Sequence, residues 1–282
     1  MHEIVEKERL NEEMTRIEVK APLVADKIKP GQFIVIRIHE KGERVPLTFY
    51  KKDKEKGTIQ MIYQKVGKST HELDTYEEED EILDVVGPMG TEADIEEYGT
   101  VVCIGGGVGT PEVFPVAKAL RNVGNKVIVI SGFRTEDLVV CESELDKNCA
   151  NEMYITTDDG TYGREGFTSD VLEELIDDED TDIDLVHAVG PPIMMKVIAD
   201  ITEEHDIPTR VSLNSIMLDA TGMCGSCRVE IGGEMKLACV DGPEFDAHEV
   251  NFEELMERIT MFEEQEEKAL ENWKEEHEGC CR

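Results

Sequence analysis

Short runs dominated by apolar and β-branched residues recur through the first third of the chain. MTRIEVKAP, GQFIVIRIH, RVPLTFYKK, GTIQMIYQKVG and EILDVVGPMG are each bounded by Gly, Pro or charged turns. Strands at this spacing predict a small antiparallel barrel over residues 1–97. The pattern changes at Tyr98: TVVCIGGGVGTPEVFPVAKALRNVGNKVIVISGF reads strand, glycine loop, helix, strand. A helical stretch around LVVCESELDK follows, then strand EMYITTDD, helix FTSDVLEELID, strand DLVHAVG, helix IMMKVIADITEEHD and strand TRVSLN. This alternation predicts a parallel sheet with helices on both faces over 98–212, and so an α+β multidomain chain. Residues 213–250 lose the periodicity and hold cysteines. Over 251–282, Phe252, Leu255, Met256, Ile259, Phe262, Leu270 and Trp273 recur at helical intervals, predicting one amphipathic helix packed on the body or on a partner.

Composition narrows the partners. The formal charge of −35 argues against nucleic acid or an anionic membrane surface. It suits either a salty cytoplasm, where screening makes such a surface tolerable, or simply a strongly solvated surface; a protein of the first kind unfolds at low salt. The start, MHEIVEKERLNEE, lacks the apolar core of a secretory signal, and no run approaches the ~18–20 apolar residues of a membrane span. A cytoplasmic location is therefore expected, and the eight cysteines read as thiols or metal ligands rather than disulfides.

Candidate chemistry begins at GGGVGTP, residues 105–111, which follows the apolar strand VVCI. Thr110 is the expected N-cap, with Pro111 at the first helical position. Amides at a helix start attract phosphate, and glycines let it approach. The loop departs from G-x-G-x-x-G, so a tight turn without ligand is the plain alternative. AVGPPIMM is a second glycine–proline turn at a strand end, where open sheets bind ligands. In RVPLTFY, Arg44 is a candidate phosphate ligand, and Thr48 and Tyr50 share one face at period two. An edge strand with a snorkelling arginine explains the same residues. In YQKVGKST, Gly67, Ser69 and Thr70 form either a phosphate nest or an ordinary turn, with a helix beginning at HELDTY.

Cys224, Cys227 and Cys239 stand as C-x2-C-x11-C, one ligand short of four. Zinc completed by His248 or a carboxylate, and an iron–sulfur cluster, both fit this spacing. Asp219, Cys280 and Cys281 are the other candidates for the missing ligand, the last two at the very end of the chain. Cys103, Cys141 and Cys149 read as core or helix thiols.

The order R-x-P-L-T, V-G-x-[GS]-T, G-P-x-G, G-G-G-x-G-T-P, T-D-D-G-x-x-G-x-x-G, G-P-P-x-M-M and cysteine cluster resembles the ferredoxin–NADP reductase superfamily over roughly residues 3–265. Within it, the chain is similar to dihydroorotate dehydrogenase electron-transfer subunits. It is more similar to the small subunits of NADH-dependent reduced ferredoxin:NADP oxidoreductase, or sulfide dehydrogenase β-type subunits. The resemblance implies an FAD-binding barrel (1–97), an NAD(P)-binding α/β domain (98–212), a [2Fe-2S] segment (213–250) and a C-terminal helix (251–282). It implies that Arg44, Pro46, Leu47 and Thr48 hold FAD phosphate and ring, and that Val66, Gly67, Ser69 and Thr70 hold its pyrophosphate. Gly106, Gly107, Val108, Gly109 and Thr110 would face the nicotinamide dinucleotide, with Asp158, Gly160, Gly190, Pro191 and Met194 lining the cleft. Four cysteines are usual in the dihydroorotate branch; the first falls on Asp219, a position that is an aspartate ligand in the ferredoxin-oxidoreductase branch. Carboxylate and thiolate carry the same charge, so Asp219 would alter the cluster's potential rather than its net charge.

The implied function is electron transfer between NAD(P)H, FAD and the cluster, beside a larger flavoprotein or iron–sulfur subunit and, indirectly, ferredoxin. A dihydroorotate dehydrogenase electron-transfer subunit is the alternative, and a cofactor-binding scaffold without turnover is the alternative of another class. Arg134, after KVIVISGF, is placed to meet a 2′-phosphate, the pyrophosphate or Asp137, leaving NAD and NADP both open. No nucleophile–base or paired-carboxylate machinery stands out.

Overall fold

The computed structural model describes residues 1–277. Seven antiparallel strands form the first sheet: β1 (His2–Arg9), β2 (Met14–Lys20), β3 (Phe33–Arg37), β4 (Val45–Asp53), β5 (Thr58–Gln64), β6 (Glu81–Ile82) and β7 (Asp84–Met89). Their order is β6-β1-β2-β5-β4-β3-β7. The two outer strands are consecutive in the chain, with only Leu83 between them, so the sheet curls on itself into a half-barrel. Ile17, Val19, Ile34, Ile36, Ile59 and Met61 alternate inward along their strands and fill it. Two short helices, α1 (Pro22–Lys27) and α2 (Lys68–Leu73), cap its ends.

The second sheet contains β8 (Thr100–Gly106), β9 (Lys126–Phe133), β10 (Glu152–Thr157), β11 (Arg164–Glu165), β12 (Leu185–Val189) and β13 (Thr209–Ser212), all parallel. Helices α3 (Gly109–Asn122), α4 (Glu142–Asn148), α5 (Thr168–Asp177) and α6 (Pro192–Glu204) connect them. The order β11-β10-β9-β8-β12-β13 reverses direction between β8 and β12. Such a switch point opens a crevice at the carboxyl ends of the strands. Both glycine turns fall there, since Gly105 pairs with Val189.

The cysteine segment supplies the hairpin β14 (Arg228–Ile231) and β15 (Glu234–Leu237), then β16 (Glu244–Asp246), which pairs antiparallel with β13. It is not packed as a separate body: Cys227, Val229 and Cys239 share one core with Val102, Ile130 and Val211 of the second sheet. His187 of β12 and Glu244 of β16 reinforce the joint at 2.9 Å.

Four local expectations change. α3 begins at Gly109, after Val108, so Thr110 lies inside the first turn rather than at the cap. α2 covers KSTHEL rather than starting at HELDTY. The helical stretch expected around LVVCESELDK narrows to α4, with a separate 3-10 turn before it at Glu136–Leu138. The C-terminal segment divides into α7 (Phe252–Ile259), a 3-10 turn at Thr260–Phe262 and α8 (Glu263–His277). α7 docks on the cysteine segment, where Arg258 donates to the Ser226 carbonyl at 3.0 Å. α8 runs back to the barrel, burying Trp273 near His71 of α2. No helix among the described residues is long and apolar enough to cross a membrane.

Candidate functional site

A cleft of about 1040 Å³ lies between the half-barrel and the carboxyl ends of β8, β9, β10 and β12. That volume matches the upper range of small-molecule sites. One wall is Pro46, Leu47 and Thr48 of β4, with Val66 after β5. The other is Gly106, Gly107, Val108 and Gly109 on the first turn, Gly190, Pro191 and Met194 on the second, and Asp158 beyond β10. The two turns touch. A Cβ on Gly109 would overlap the Val189 carbonyl and approach the Gly190 Cα to 3.0 Å, so glycine is what lets α3 start beside β12.

Six candidates stand outside this wall. Thr110 is fully buried behind the loop, its Oγ1 without a hydrogen-bond partner. Gly160 forms the turn after Asp158. Arg44, Gly67, Ser69 and Thr70 gather instead on the barrel's outer rim. There Ser69 donates to Glu43 at 2.6 Å, and Thr70 Oγ1 accepts the Val66 amide at 3.0 Å. The exposed Arg44 adjoins Glu43 and has no ion-pair partner among the described residues. Tyr50 shares the Thr48 face: Leu47 and Phe49 pack on the barrel core, while Thr48 hydrogen-bonds Glu112 and Tyr50 packs on Phe114, both on α3. The pairing of β4 with β5 slips between Phe49 and Lys51, making Tyr50 the extra residue of a bulge. Its ring packs on Phe114 at 4.6 Å and its hydroxyl donates to Glu144, tying barrel to α4.

The cleft wall holds unsatisfied polar atoms suited to a ligand. Thr156 Oγ1 and Ser215 Oγ are buried there without partners. Its ionisable groups are Glu13, Glu112, Arg134 and Asp158. Burial pushes the Glu112 carboxyl up to about 7, partly offset by a hydrogen bond with Thr48. Between the ordinary glutamate value and about 7, folded Glu112 keeps a proton that the unfolded chain has lost. Stability should therefore fall as pH rises through that window. Glu112→Gln should remove this fall, raising stability at pH 8 by about 1–2 kcal/mol relative to its effect at pH 5, since water in the cleft screens part of the cost. Thermal melts at the two pH values test this; equal shifts would refute it.

The cysteine segment brings its donors together in two pairs. The Asp219 carboxylate accepts the Thr221 amide at 2.8 Å and lies against the Cys224 thiol. Cys227 and Cys239, both buried, lie side by side, and burial pushes the Cys239 thiol up to about 12. Ser226 holds the exposed Cys224 thiol below its ordinary value. Gly222 and Gly225 take left-handed conformations that wrap the loop around this space. The two pairs do not converge on one point: among the described residues no group of three or more His, Cys, Asp or Glu side chains stands close enough to hold a single metal ion. His248 is elsewhere, its Nε2 3.0 Å from Thr202 Oγ1 on α6, so it does not complete a zinc site. Cys280 and Cys281 lie outside the described residues. Cys103 and Cys149 are buried core thiols, and Cys141 stands at the start of α4.

Residues 214–251 match the iron-sulfur cluster binding domain of dihydroorotate dehydrogenase B. A Thermotoga maritima homolog of the dihydroorotate dehydrogenase B (NAD(+)) electron transfer subunit is 43% identical, over 97% of this chain and 95% of its own length. The chain belongs to the dihydroorotate dehydrogenase B electron transfer subunit family. An uncharacterized Clostridium beijerinckii protein from the adh 3' region is 46% identical over 100% of this chain and 99% of its own. Among solved structures, a chain of the NADH-dependent reduced ferredoxin-NADP oxidoreductase, studied for flavin-based electron bifurcation, matches with a TM-score of 0.91. It is 43% identical, covering 97% of this chain and 98% of that one. The chain is thus an electron-transfer subunit with the half-barrel, mixed sheet and iron–sulfur segment of this family.

Against the family's architecture, Glu13, Gln64, Glu112 and Ser215 are cleft residues that their sequence surroundings do not mark. Glu112 sits where any helix favours an acid, in its first turn. Glu13 and Gln64 lie in or beside barrel strands, and only the approach of the second sheet makes them cleft groups.

Proposed function

We propose that this subunit oxidises NAD(H) in the cleft and delivers electrons through FAD to a [2Fe-2S] cluster, and from there to a larger flavoprotein or iron–sulfur partner. The observation that carries this reading is the facing of the β4 wall and the two glycine turns across one cleft, with Cys227 and Cys239 of the cysteine segment in the core of the second sheet. Bound FAD would supply the exchange between two-electron hydride chemistry and the one-electron chemistry of the cluster.

Pro46, Leu47 and Thr48 would press the flavin ring from the barrel side, while Arg44, Val66, Gly67, Ser69 and Thr70 would hold its phosphates on the rim. Gly106 to Gly109 would present amides at the start of α3 to the dinucleotide phosphates, with Thr110 packing the loop from behind. Gly190, Pro191 and Met194 would close the nicotinamide end, and Asp158 and Gly160 the ribose end. Three of the four ionisable groups in the cleft wall are acids, which favours NAD(H) over the more highly charged NADP(H). Asp219 and Cys224 would ligate one iron, Cys227 and Cys239 the other.

Anaerobically purified protein tests the reading. It should carry FAD and about two irons per chain, show a rhombic EPR signal when reduced, and lose its flavin absorbance on adding NADH. One zinc, or a flavin that NADH leaves oxidised, would sink it. Failure of dye reduction by flavin-loaded protein would favour the scaffold alternative. Asp219 favours a ferredoxin-linked partner over a dihydroorotate dehydrogenase catalytic subunit. Asp219→Cys should keep the cluster and move its potential; an unchanged potential and spectrum would remove Asp219 from the ligand set.

A further inference from the structure

Arg134 is the single cation in the cleft wall among the described residues, and it is not free. It follows β9 directly, between the two loops that approach the nucleotide end of the cleft. The Gly107 amide bonds to the Gly132 carbonyl on one side, and the Asp158 amide bonds to the Phe133 carbonyl on the other. From the opposite domain, Glu13 reaches across from the β1–β2 turn. Arg134 Nη2 donates to Glu13 Oε1 at 2.6 Å, over 121 residues of sequence.

The two partners are held very differently. Glu13 is fixed by the barrel: its second carboxylate oxygen accepts from Gln64 Nε2 at 2.6 Å, its carbonyl accepts the Lys65 amide at 2.8 Å, and its own amide donates to Asn11 Oδ1 at 2.9 Å. Glu13 therefore cannot follow the arginine if it turns away. Arg134 is a long arm with 63% of its side chain exposed, tied by this one ion pair. A pair facing solvent in this way shifts an equilibrium by no more than about five-fold, so breaking it is a small cost for a ligand that offers a phosphate.

We propose that Glu13 is a competing counter-anion that occupies Arg134 until a nucleotide phosphate displaces it, setting the affinity of the cleft for its dinucleotide. This rests on the reading of the cleft as a nucleotide site. The arginine exchanges one anion for another, and binding of the nucleotide releases a tie between the half-barrel and the nucleotide sheet. Asp158 and Glu112 do not substitute for Glu13 here: neither forms an ion pair with Arg134. The consequence is that a carboxylate on the flavin domain tunes nucleotide binding on the other domain without needing to touch the nucleotide.

A double-mutant cycle on the oxidised, FAD- and cluster-loaded protein tests this, with NAD+ binding followed by calorimetry so that no turnover intervenes. Glu13→Gln removes the charge but keeps the size and should tighten NAD+ binding about two- to five-fold. Arg134→Ala should weaken it about ten-fold, in the range of a lost charge-assisted phosphate contact. In the Arg134→Ala background, Glu13→Gln should change nothing. Unchanged or weaker binding by Glu13→Gln alone would overturn the proposal. So would an equal gain in both backgrounds, which would mean that Glu13 acts through the general field of the cleft. Absence of NAD+ binding by the wild-type protein would instead overturn the nucleotide reading itself.

Discussion

Cys239→Ala should yield protein with no cluster, its iron falling from about two atoms per chain to near zero, while NADH still bleaches the flavin. The thiol is 2% exposed and its one thiol neighbour among the described residues is Cys227, so its pair cannot recruit a replacement donor from solvent. Removing the sulfur would leave Cys227 as the one buried thiol of the segment, and three of the four proposed ligands to hold the cluster. Cys239 is not among the residues lining the cleft, although Ser215, Met217 and Pro243 of its segment are, so the cleft should keep its function and the variant separates hydride uptake from one-electron delivery. Iron analysis and EPR of the reduced protein are the measurements. Retention of a full cluster would show that Cys239 is a core thiol and that the ligand set is wrong. The cavity left by the substitution should cost only about 1 kcal/mol, a second distinction between loss of metal and loss of fold.

The second large effect is at Gly109. An added methyl meets backbone atoms rather than movable side chains: the Val189 carbonyl oxygen, its carbon at 2.6 Å and the Gly190 Cα at 3.0 Å. Either α3 retreats from β12 or the second glycine turn moves, and both distort the crevice at the switch point. Gly109→Ala should cost about 3 kcal/mol, lowering the melting temperature by about 6–12 °C, and should abolish tight dinucleotide binding. Melted without flavin, so that its proposed contact with FAD plays no part, Gly67→Ala is the control, since its Cβ meets nothing within 4 Å and its φ of −101° suits any residue. Equal melting temperatures for the two variants would show that the turns have room to adapt.

How far these features can be read from the sequence depends on how local their causes are. The barrel strands, the βαβ alternation and the cysteine spacing are visible because period and turn residues act over a few positions. The same locality explains the errors. The bulge at Tyr50 leaves no local mark, because it depends on the pairing of β4 with β5. The C-terminal apolar spacing continues from α7 into the 3-10 turn, yet Phe262 is 42% exposed, because α7 follows the cysteine segment while α8 turns toward α2. Glu13 had no signal: an acid in a charged turn is ordinary until the second sheet places Arg134 beside it. Asp219 is a different case: its slot comes from the four-cysteine spacing of the family, which the three cysteines of this chain match beside it.

The pairing of β16 with β13 bears on how the chain can be divided. Ending the protein after Leu213 would strip the outer partner from β13 and expose a row of unpaired amides and carbonyls on a strand rich in β-branched residues, a template for edge-to-edge association. The iron-binding segment thus also guards the sheet from self-assembly. A nucleotide domain prepared alone should be cut beyond Asp246 to remain monomeric, and a transplanted cluster segment needs a host sheet with an open edge to receive its last strand.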